Sequence, residues 1–122
     1  MMSEIVAIIG ASDKPDRYAS MAAESLEQHG HQTVLVNPHK ESINGKSCLK
    51  HLGEFDGQVD TVTVYVNAAR FKDHLSAILE ARPNRVIFNP GAESPDTYSD
   101  LEADGIEVLE ACTLVMLNTG QF

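Results

Sequence analysis

The chain has 122 residues, of which 43% are hydrophobic and 22% are charged, a composition typical of a single globular domain over residues 1–122. Eighteen acidic residues against nine basic ones give a formal net charge of -9, so the surface as a whole repels polyanions. We therefore expect neither nucleic-acid binding nor attachment to an anionic membrane, and an anionic ligand would need a local device to hold it.

The sequence carries no evident signal for export or for membrane insertion. No run approaches the roughly 20 apolar residues of a transmembrane helix, and no basic region with a cleavable apolar segment opens the chain. The two cysteines, Cys48 and Cys112, lie far apart in sequence. We therefore expect a cytoplasmic protein with two reduced thiols.

The first half of the chain predicts two strands and a helix. Residues 5–9 form an uninterrupted run rich in β-branched side chains, which is typical of a strand buried on both faces. Apolar residues at helical spacing predict a helix over residues 18–29, and a second strand covers residues 33–36. Residues 40–57 lack a clear period, so we predict only a short helix there.

The second half continues the alternation of strands and helices. An amphipathic pattern over residues 71–82 predicts a helix that Pro83 ends. Ser94 and Pro95 are typical of an N-cap followed by the first helical residue. The remaining predicted elements are strands at 61–66, 85–88 and 106–109, the end of the Ser94 helix at Gly105, and an apolar final turn at 112–117.

This order of elements predicts the fold class. Strands that alternate with helices imply right-handed βαβ crossovers, and so an α/β, Rossmann-like, doubly wound, five-stranded parallel sheet with helices on both faces. Ligands of such sheets bind beyond the carboxyl ends of the strands. The segments expected at this edge are residues 10–12, 37–38, 67–68, 89–91 and 110–112.

The loop after the first strand is the best candidate for a phosphate site. Gly10 lets the backbone turn tightly, and the following helix offers free amides and the positive end of its dipole. Ser12 supplies a hydroxyl donor, and Lys14 or Arg17 supplies positive charge. Alternatively, Gly10 serves only the turn and the basic residues are solvated.

The sequence disfavours NAD as the ligand. Gly10 opens no Gly-x-Gly-x-x-Gly pattern, because the next glycine is Gly30. The second strand ends in Asn37-Pro38-His39-Lys40 rather than in the acidic residue that holds the free ribose of NAD. An amide and two potentially basic groups suit a phosphorylated ribose better.

Taken together, these segments carry a family resemblance. The segments Val6-Ala-Ile-Ile-Gly-Ala-Ser12, Lys14-Pro-Asp-Arg-Tyr18, Val36-Asn-Pro38 and Asn89-Pro-Gly91 resemble the small stand-alone CoA-binding proteins. Those proteins are similar to the CoA-binding domains of the succinyl-CoA synthetase α subunit and of acyl-CoA synthetases. The resemblance extends over nearly the whole chain. It implies a binding or regulatory protein for CoA or an acyl-CoA.

The resemblance also implies roles for individual residues. The segment 10–12 would hold the CoA pyrophosphate with help from Arg17 or Tyr18, and residues 37–38 would border the adenosine. Residues 66–68 would flank the nucleotide, and we expect His39 or Lys40 to reach the 3′-phosphate. The predicted cofactor-binding residues are Gly10, Ala11, Ser12, Lys14, Arg17, Tyr18, Asn37, Pro38, His39, Lys40, Val66, Asn67, Ala68, Asn89, Pro90 and Gly91.

Two other functions remain open at this point. A small NADP-dependent oxidoreductase-like domain would also use His39 and Lys40, and a degenerate module could act only by association through its apolar tail. We predict no catalytic residue and no metal site, because nucleophile-elbow, Walker and Cys-x-x-Cys motifs are missing from the sequence. Cys112 is either a buried thiol or a partner for a mixed disulfide with CoA. The assembly state, a homodimer or a complex with a protein partner, is left open.

Overall fold

The computed structural model describes residues 3–122 and confirms the α/β, doubly wound, Rossmann-like fold. The predicted elements occur in the predicted order, with two further strands between the second and the third predicted strand. The strands are β1 (Ile5–Ile9), β2 (Gln32–Val36), β3 (Ser42–Ile43), β4 (Lys46–Leu49), β5 (Thr61–Val64), β6 (Arg85–Phe88) and β7 (Glu107–Glu110). The helices are α1 (Tyr18–Gln28), α2 (Ala68–Ala81), α3 (Tyr98–Ala103) and α4 (Thr113–Asn118), with 3-10 turns at Leu52–Glu54 and Pro95–Thr97.

The strands form one sheet in the order β3-β4-β2-β1-β5-β6-β7. All pairs are parallel except β3 with β4. The chain first moves outward from β1 to β2 and later returns to the other side of β1, where β5 pairs with it. The strand order therefore reverses between β1 and β5, which is where such sheets open a crevice for ligands.

The sheet has seven strands in the structure instead of the predicted five, because β3 and β4 form a hairpin within residues 40–57. Asn44 and Gly45 make its turn, with φ values of 52° and 82°. An Asn-Gly pair with two positive φ values is the preferred two-residue hairpin turn. That dipeptide was the available signal, but strands of two and four residues are too short to show a clear alternation.

Helices cover both faces of the sheet, as predicted. On one face α1 and α4 pack on β1 and β2 through apolar side chains that include Leu26 and Leu117. On the other face α2 and α3 pack on the sheet through Phe71, Ile78 and Leu101. The central strands β1, β5 and β6 are almost fully buried between these layers, which explains the continuous apolar runs of β1 and β6.

Several element boundaries differ from the sequence prediction. The third long strand ends at Val64 rather than at residue 66, since Asn67 already caps α2 by accepting a hydrogen bond from the Arg70 amide at 2.9 Å. The helix predicted from Ser94 starts as a 3-10 turn before α3. The apolar tail forms α4, in which Val115 is 55% exposed. A dimer contact through this tail stays a prediction. Among residues 3–122, no helix is both long and apolar enough to span a membrane.

A buried polar network fixes the end of β6 to its neighbours. The Asn89 amide nitrogen donates to Thr63 Oγ1 at 2.7 Å and to the Val64 carbonyl at 3.0 Å. Its amide oxygen accepts from the Thr113 backbone amide at 2.9 Å. One side chain therefore joins β5, β6 and α4, and its loss would leave buried donors and acceptors without partners.

We expect Asn89→Ala to lower the free energy of unfolding by about 2–3 kcal/mol, because it leaves the buried Thr113 amide unsatisfied. Urea denaturation followed by circular dichroism measures this change. Asn84→Ala is the matched control, since the Asn84 side chain is exposed, and should change stability by less than about 0.5 kcal/mol. Equal effects of the two substitutions would contradict the role of the network.

Candidate functional site

A cleft of about 920 Å³ opens at the carboxyl edge of the sheet, around the point where the strand order reverses between β1 and β5. Four of the predicted segments form its walls: the loop after β1 and the ends of β2, β5 and β6. The lining residues are Gly10, Ala11, Ser12, Asp13, Lys14, Arg17, Tyr18, Ala19, Asn37, Pro38, His39, Lys40, His51, Tyr65, Val66, Asn67, Arg70, Asp73, His74, Pro90, Gly91 and Ala92.

Gly10 is required where the loop leaves β1. Its φ of +91° lies in the left-handed region, and a Cβ atom there would lie 2.8 Å from Val66 Cγ1 and 3.3 Å from the Tyr65 carbonyl. Both the backbone conformation and the close approach to the chain after β5 exclude a larger residue. The glycine therefore sets the distance between two walls of the cleft.

The backbone amides near Gly10 divide into two groups. Those of Gly10 and Ala11 both donate to the Val36 carbonyl, at 2.9 and 3.1 Å, so they hold the loop against β2. The next amides, those of Ser12 and Asp13, make no hydrogen bond to another backbone group within residues 3–122. A ligand anion would therefore meet the amides after Ala11 rather than those of Gly10 and Ala11 themselves.

The start of α1 adds further amides to this wall. Arg17 is the N-cap residue, and its side chain makes no capping hydrogen bond. Tyr18 and Ala19, the first residues of α1, line the cleft. No acidic residue lies in this first turn, so the positive end of the helix dipole is left uncompensated. This arrangement suits an anion.

Ser12 and Asn37 shape the loop as well as line the cleft. Ser12 Oγ accepts from the Lys14 amide at 3.1 Å, which leaves its hydroxyl hydrogen free to donate to a ligand. The Asn37 side chain donates to the Ala11 carbonyl at 2.8 Å and accepts from the His39 amide at 2.9 Å. Asn37 is thus a brace between the loop and the end of β2.

The cleft concentrates positive charge in an acidic protein. Lys14, Arg17, Lys40 and Arg70 line it, whereas its acidic residues are Asp13 and Asp73. The ammonium of Lys40 lies 3.2 Å from an Asp13 carboxylate oxygen, and both side chains are about two-fifths exposed. The hydrogen bond from Lys40, and then its charge, lower the pKa of Asp13.

The structure brings together all predicted site residues except Ala68 and Asn89. Ala68 is the first residue of α2, and Asn89 is buried in the network described above. Asn67 does line the cleft, but its side-chain oxygen already caps α2. Pro90 and Gly91 form the wall furthest from β2.

Sequence reasoning missed a group of residues on the α2 side of the cleft, namely His51, Arg70, Asp73 and His74. His51 follows β4, the strand that the sequence did not reveal. His74 lies one turn after Phe71 and one turn before Ile78 on the apolar stripe of α2. A histidine at that spacing was a usable signal, since polar side chains on a buried stripe need partners.

His74 lies in an unusual environment. Its side chain is 3% exposed, and its Nδ1 atom has no hydrogen-bond partner among the residues that the structure describes. The His51 ring lies 6.2 Å away, centroid to centroid. Burial, followed by the neighbouring charge of His51, lowers the pKa of His74 below its ordinary value of 6.5, and the Asp73 carboxylate opposes this change. The imidazole is therefore neutral at pH 7.

Two further residues bear on the chemistry of this edge. Tyr65 lines the cleft, and burial raises the pKa of its phenol to about 12, so it stays protonated at neutral pH. Cys112, which the sequence left open as a disulfide partner, is half-buried before α4 and lies outside the residues that line the cleft.

The lowered pKa of His74 predicts a pH-dependent stability. Below about pH 6.5 the unfolded chain takes up a proton at His74 before the folded chain does, so stability falls as the pH falls; above that pH this residue contributes nothing to the slope. We expect the difference in unfolding free energy between wild type and His74→Asn to vary below pH 6.5 and to be constant above it. Chemical denaturation from pH 4.5 to 8 measures it. His39→Asn, at an exposed position, is the control. Parallel curves for wild type and His74→Asn would contradict the assignment.

Comparison with known proteins gives a family match over almost the whole chain. A family model described as a CoA binding domain matches residues 4–118. The uncharacterised protein YneT of Bacillus subtilis (strain 168) is 26% identical over 107 residues, which make up 88% of this chain and 79% of YneT.

Solved structures give the same fold. A crystal structure of an uncharacterised protein is 39% identical and superposes with a TM-score of 0.92 over 100% of both chains. A dinucleotide-forming acetyl-coenzyme A synthetase 1 of Ca. Korarchaeum cryptofilum, in complex with phosphate and ADP, is 18% identical. It matches with a TM-score of 0.75 over 88% of this chain and 25% of the synthetase. At that identity the likeness shows the shared fold alone.

Proposed function

The chain belongs to the CoA-binding domain family, and from this membership we propose that its cleft binds coenzyme A or an acyl-CoA. One observation supports the proposal most strongly. Four of the nine basic residues of a chain with net charge -9 line a single cleft, beside loop amides that bond to no other backbone group and the start of α1. Such a concentration of positive charge and donors suits a ligand with several phosphates.

In the proposed complex the pyrophosphate lies over the loop after β1. The Ser12 hydroxyl and the amides of Ser12 and Asp13 donate to it, and the Arg17 guanidinium neutralises its charge. The amides of Gly10 and Ala11 act indirectly, since their bonds to Val36 hold the loop in place. Gly10 therefore shapes the loop, whereas Ser12 contacts the pyrophosphate.

The 3′-phosphate of CoA is proposed to bind at the end of β2, where His39 and Lys40 lie. Lys40 already pairs with the Asp13 carboxylate, so a phosphate group would replace one anion by another of higher charge. NADP also carries a phosphate on its ribose and is therefore the competing ligand at this position. The family assignment favours CoA.

We propose that the protein binds its ligand without transforming it, as a carrier, sensor or regulatory module. Two groups support this proposal. Burial raises the pKa of Tyr65, so its phenol stays protonated at neutral pH and is not available as a base, and Cys112 lies outside the cleft lining. The two free thiols, Cys48 and Cys112, suit the cytoplasm, which we propose as its location.

A binding panel tests the proposed ligand. We expect CoA to raise the thermal midpoint, since a ligand at 100 times its Kd stabilises a protein by about 2.7 kcal/mol, and NAD to have no effect. Lys40→Met should weaken CoA binding about tenfold in isothermal titration calorimetry and leave dephospho-CoA unchanged, because only CoA carries the 3′-phosphate. Lys50→Met, outside the cleft, is the control. A shift with NADP and none with any CoA species would refute the proposal.

The Asp13–Lys40 pair predicts a variant that binds more tightly. Asp13→Asn removes a carboxylate that competes with phosphate for Lys40, so the Kd for CoA should fall about three- to fivefold. Dephospho-CoA should gain less. Asp16→Asn makes the same change in net charge outside the cleft lining and separates this local effect from the overall field. Equal gains from the two variants would argue against competition at Lys40.

A further inference from the structure

The histidines on the α2 side of the cleft are not used by the phosphate contacts proposed above. Building on that proposed function, we infer that His74 and His51 recognise the purine base of the ligand, with His74 Nδ1 bonded to the polar edge of the base and the His51 ring against its face. His74 is then a specificity-determining residue for the base.

The position of His74 supports a ligand contact over a structural role. Its side chain is 3% exposed and lines the cleft, and Nδ1 is buried without a partner in the part of the chain that the structure describes. Buried polar atoms are nearly always hydrogen-bonded, because an unsatisfied one forfeits its hydration. A ligand group at this wall would supply the missing partner.

The environment of His74 favours an uncharged hydrogen-bond partner. The groups around His74 are His51, Asp73 and Arg70, and the lowered pKa keeps the imidazole neutral. A phosphate would favour the protonated form that burial disfavours, whereas a heterocycle meets a neutral imidazole without any change of charge. Within residues 3–122 no cluster of three metal-ligating side chains occurs, so the histidine pair lacks the third ligand of a metal site.

A purine fits these walls better than the other uncharged parts of CoA. Its edge carries both a donor and acceptors, as a pantetheine amide also does, but only the base adds a flat aromatic face for a second ring. The His51 and His74 rings are tilted by 51°, so one can meet the edge of a base while the other meets its face. Pro38 and Val66, which belong to the segments proposed to border the nucleotide, also line the cleft and add apolar surface.

Two substitutions at His74 test the inference. His74→Leu removes the polar atom and should weaken CoA and dephospho-CoA equally, by about tenfold, because both carry adenine. His74→Asn keeps a polar atom near the position of Nδ1 and should restore binding to within about threefold of wild type. Lys40→Met is the contrasting variant, since its loss should be confined to CoA. Isothermal titration calorimetry at pH 7.5 measures the binding of CoA and of dephospho-CoA to the wild type and to these three variants.

The outcomes separate this inference from the proposed function. If the wild-type protein binds no CoA species, the proposed function fails and the inference with it. If the wild type binds CoA and His74→Leu binds both ligands within about twofold of wild type, only the base contact is overturned. Circular dichroism verifies that His74→Leu is folded. If it is not, His51→Leu at the exposed neighbour replaces it, and it should weaken both ligands by the same factor.

Discussion

The geometry of the cleft depends on the hydrogen bonds that the Val36 carbonyl oxygen accepts. This oxygen lies at the end of β2 and accepts hydrogen bonds from the backbone amides of both Gly10 and Ala11. These two bonds hold the loop after β1 against the neighbouring strand. The turn is possible only because Gly10 adopts a positive φ and tolerates the Val66 side chain where a Cβ would clash. The Asn37 side chain then fixes the same loop through the Ala11 carbonyl. These contacts aim the remaining amides, and the start of α1, into the cleft.

The distribution of charged side chains also favours anion binding in the cleft. The chain is strongly acidic, which discourages weak binding of anions elsewhere on its surface. Lys14, Arg17, Lys40 and Arg70 reverse the sign locally, and the two acids beside them moderate the effect. Asp13 is the clearer case, because its carboxylate pairs with the Lys40 ammonium and offsets that charge in the cleft. In the proposed complex, selectivity for a phosphorylated ligand would thus arise from the position of these charges rather than from the net charge.

The parts predicted from sequence were those that local patterns encode. The buried runs gave the parallel strands, and the loops after them gave most of the cleft, since the carboxyl ends of parallel strands share one edge. The β3–β4 hairpin was missed because its strands are too short for a period. His51 was not predicted as a site residue because it follows that hairpin. His74 was not predicted because it lies on the apolar stripe of α2. The use of the Gly10 and Ala11 amides by Val36 depends on the pairing of distant segments, which no local pattern contains.

The cleft is proposed to select a CoA-type nucleotide. Native mass spectrometry of the folded protein with equimolar CoA, NADP and NAD tests this most directly, because each bound ligand adds a distinct mass. We predict a one-to-one complex whose added mass is that of CoA, formed in clear excess over the other two. A complex with NADP in excess, or none with CoA, would contradict it.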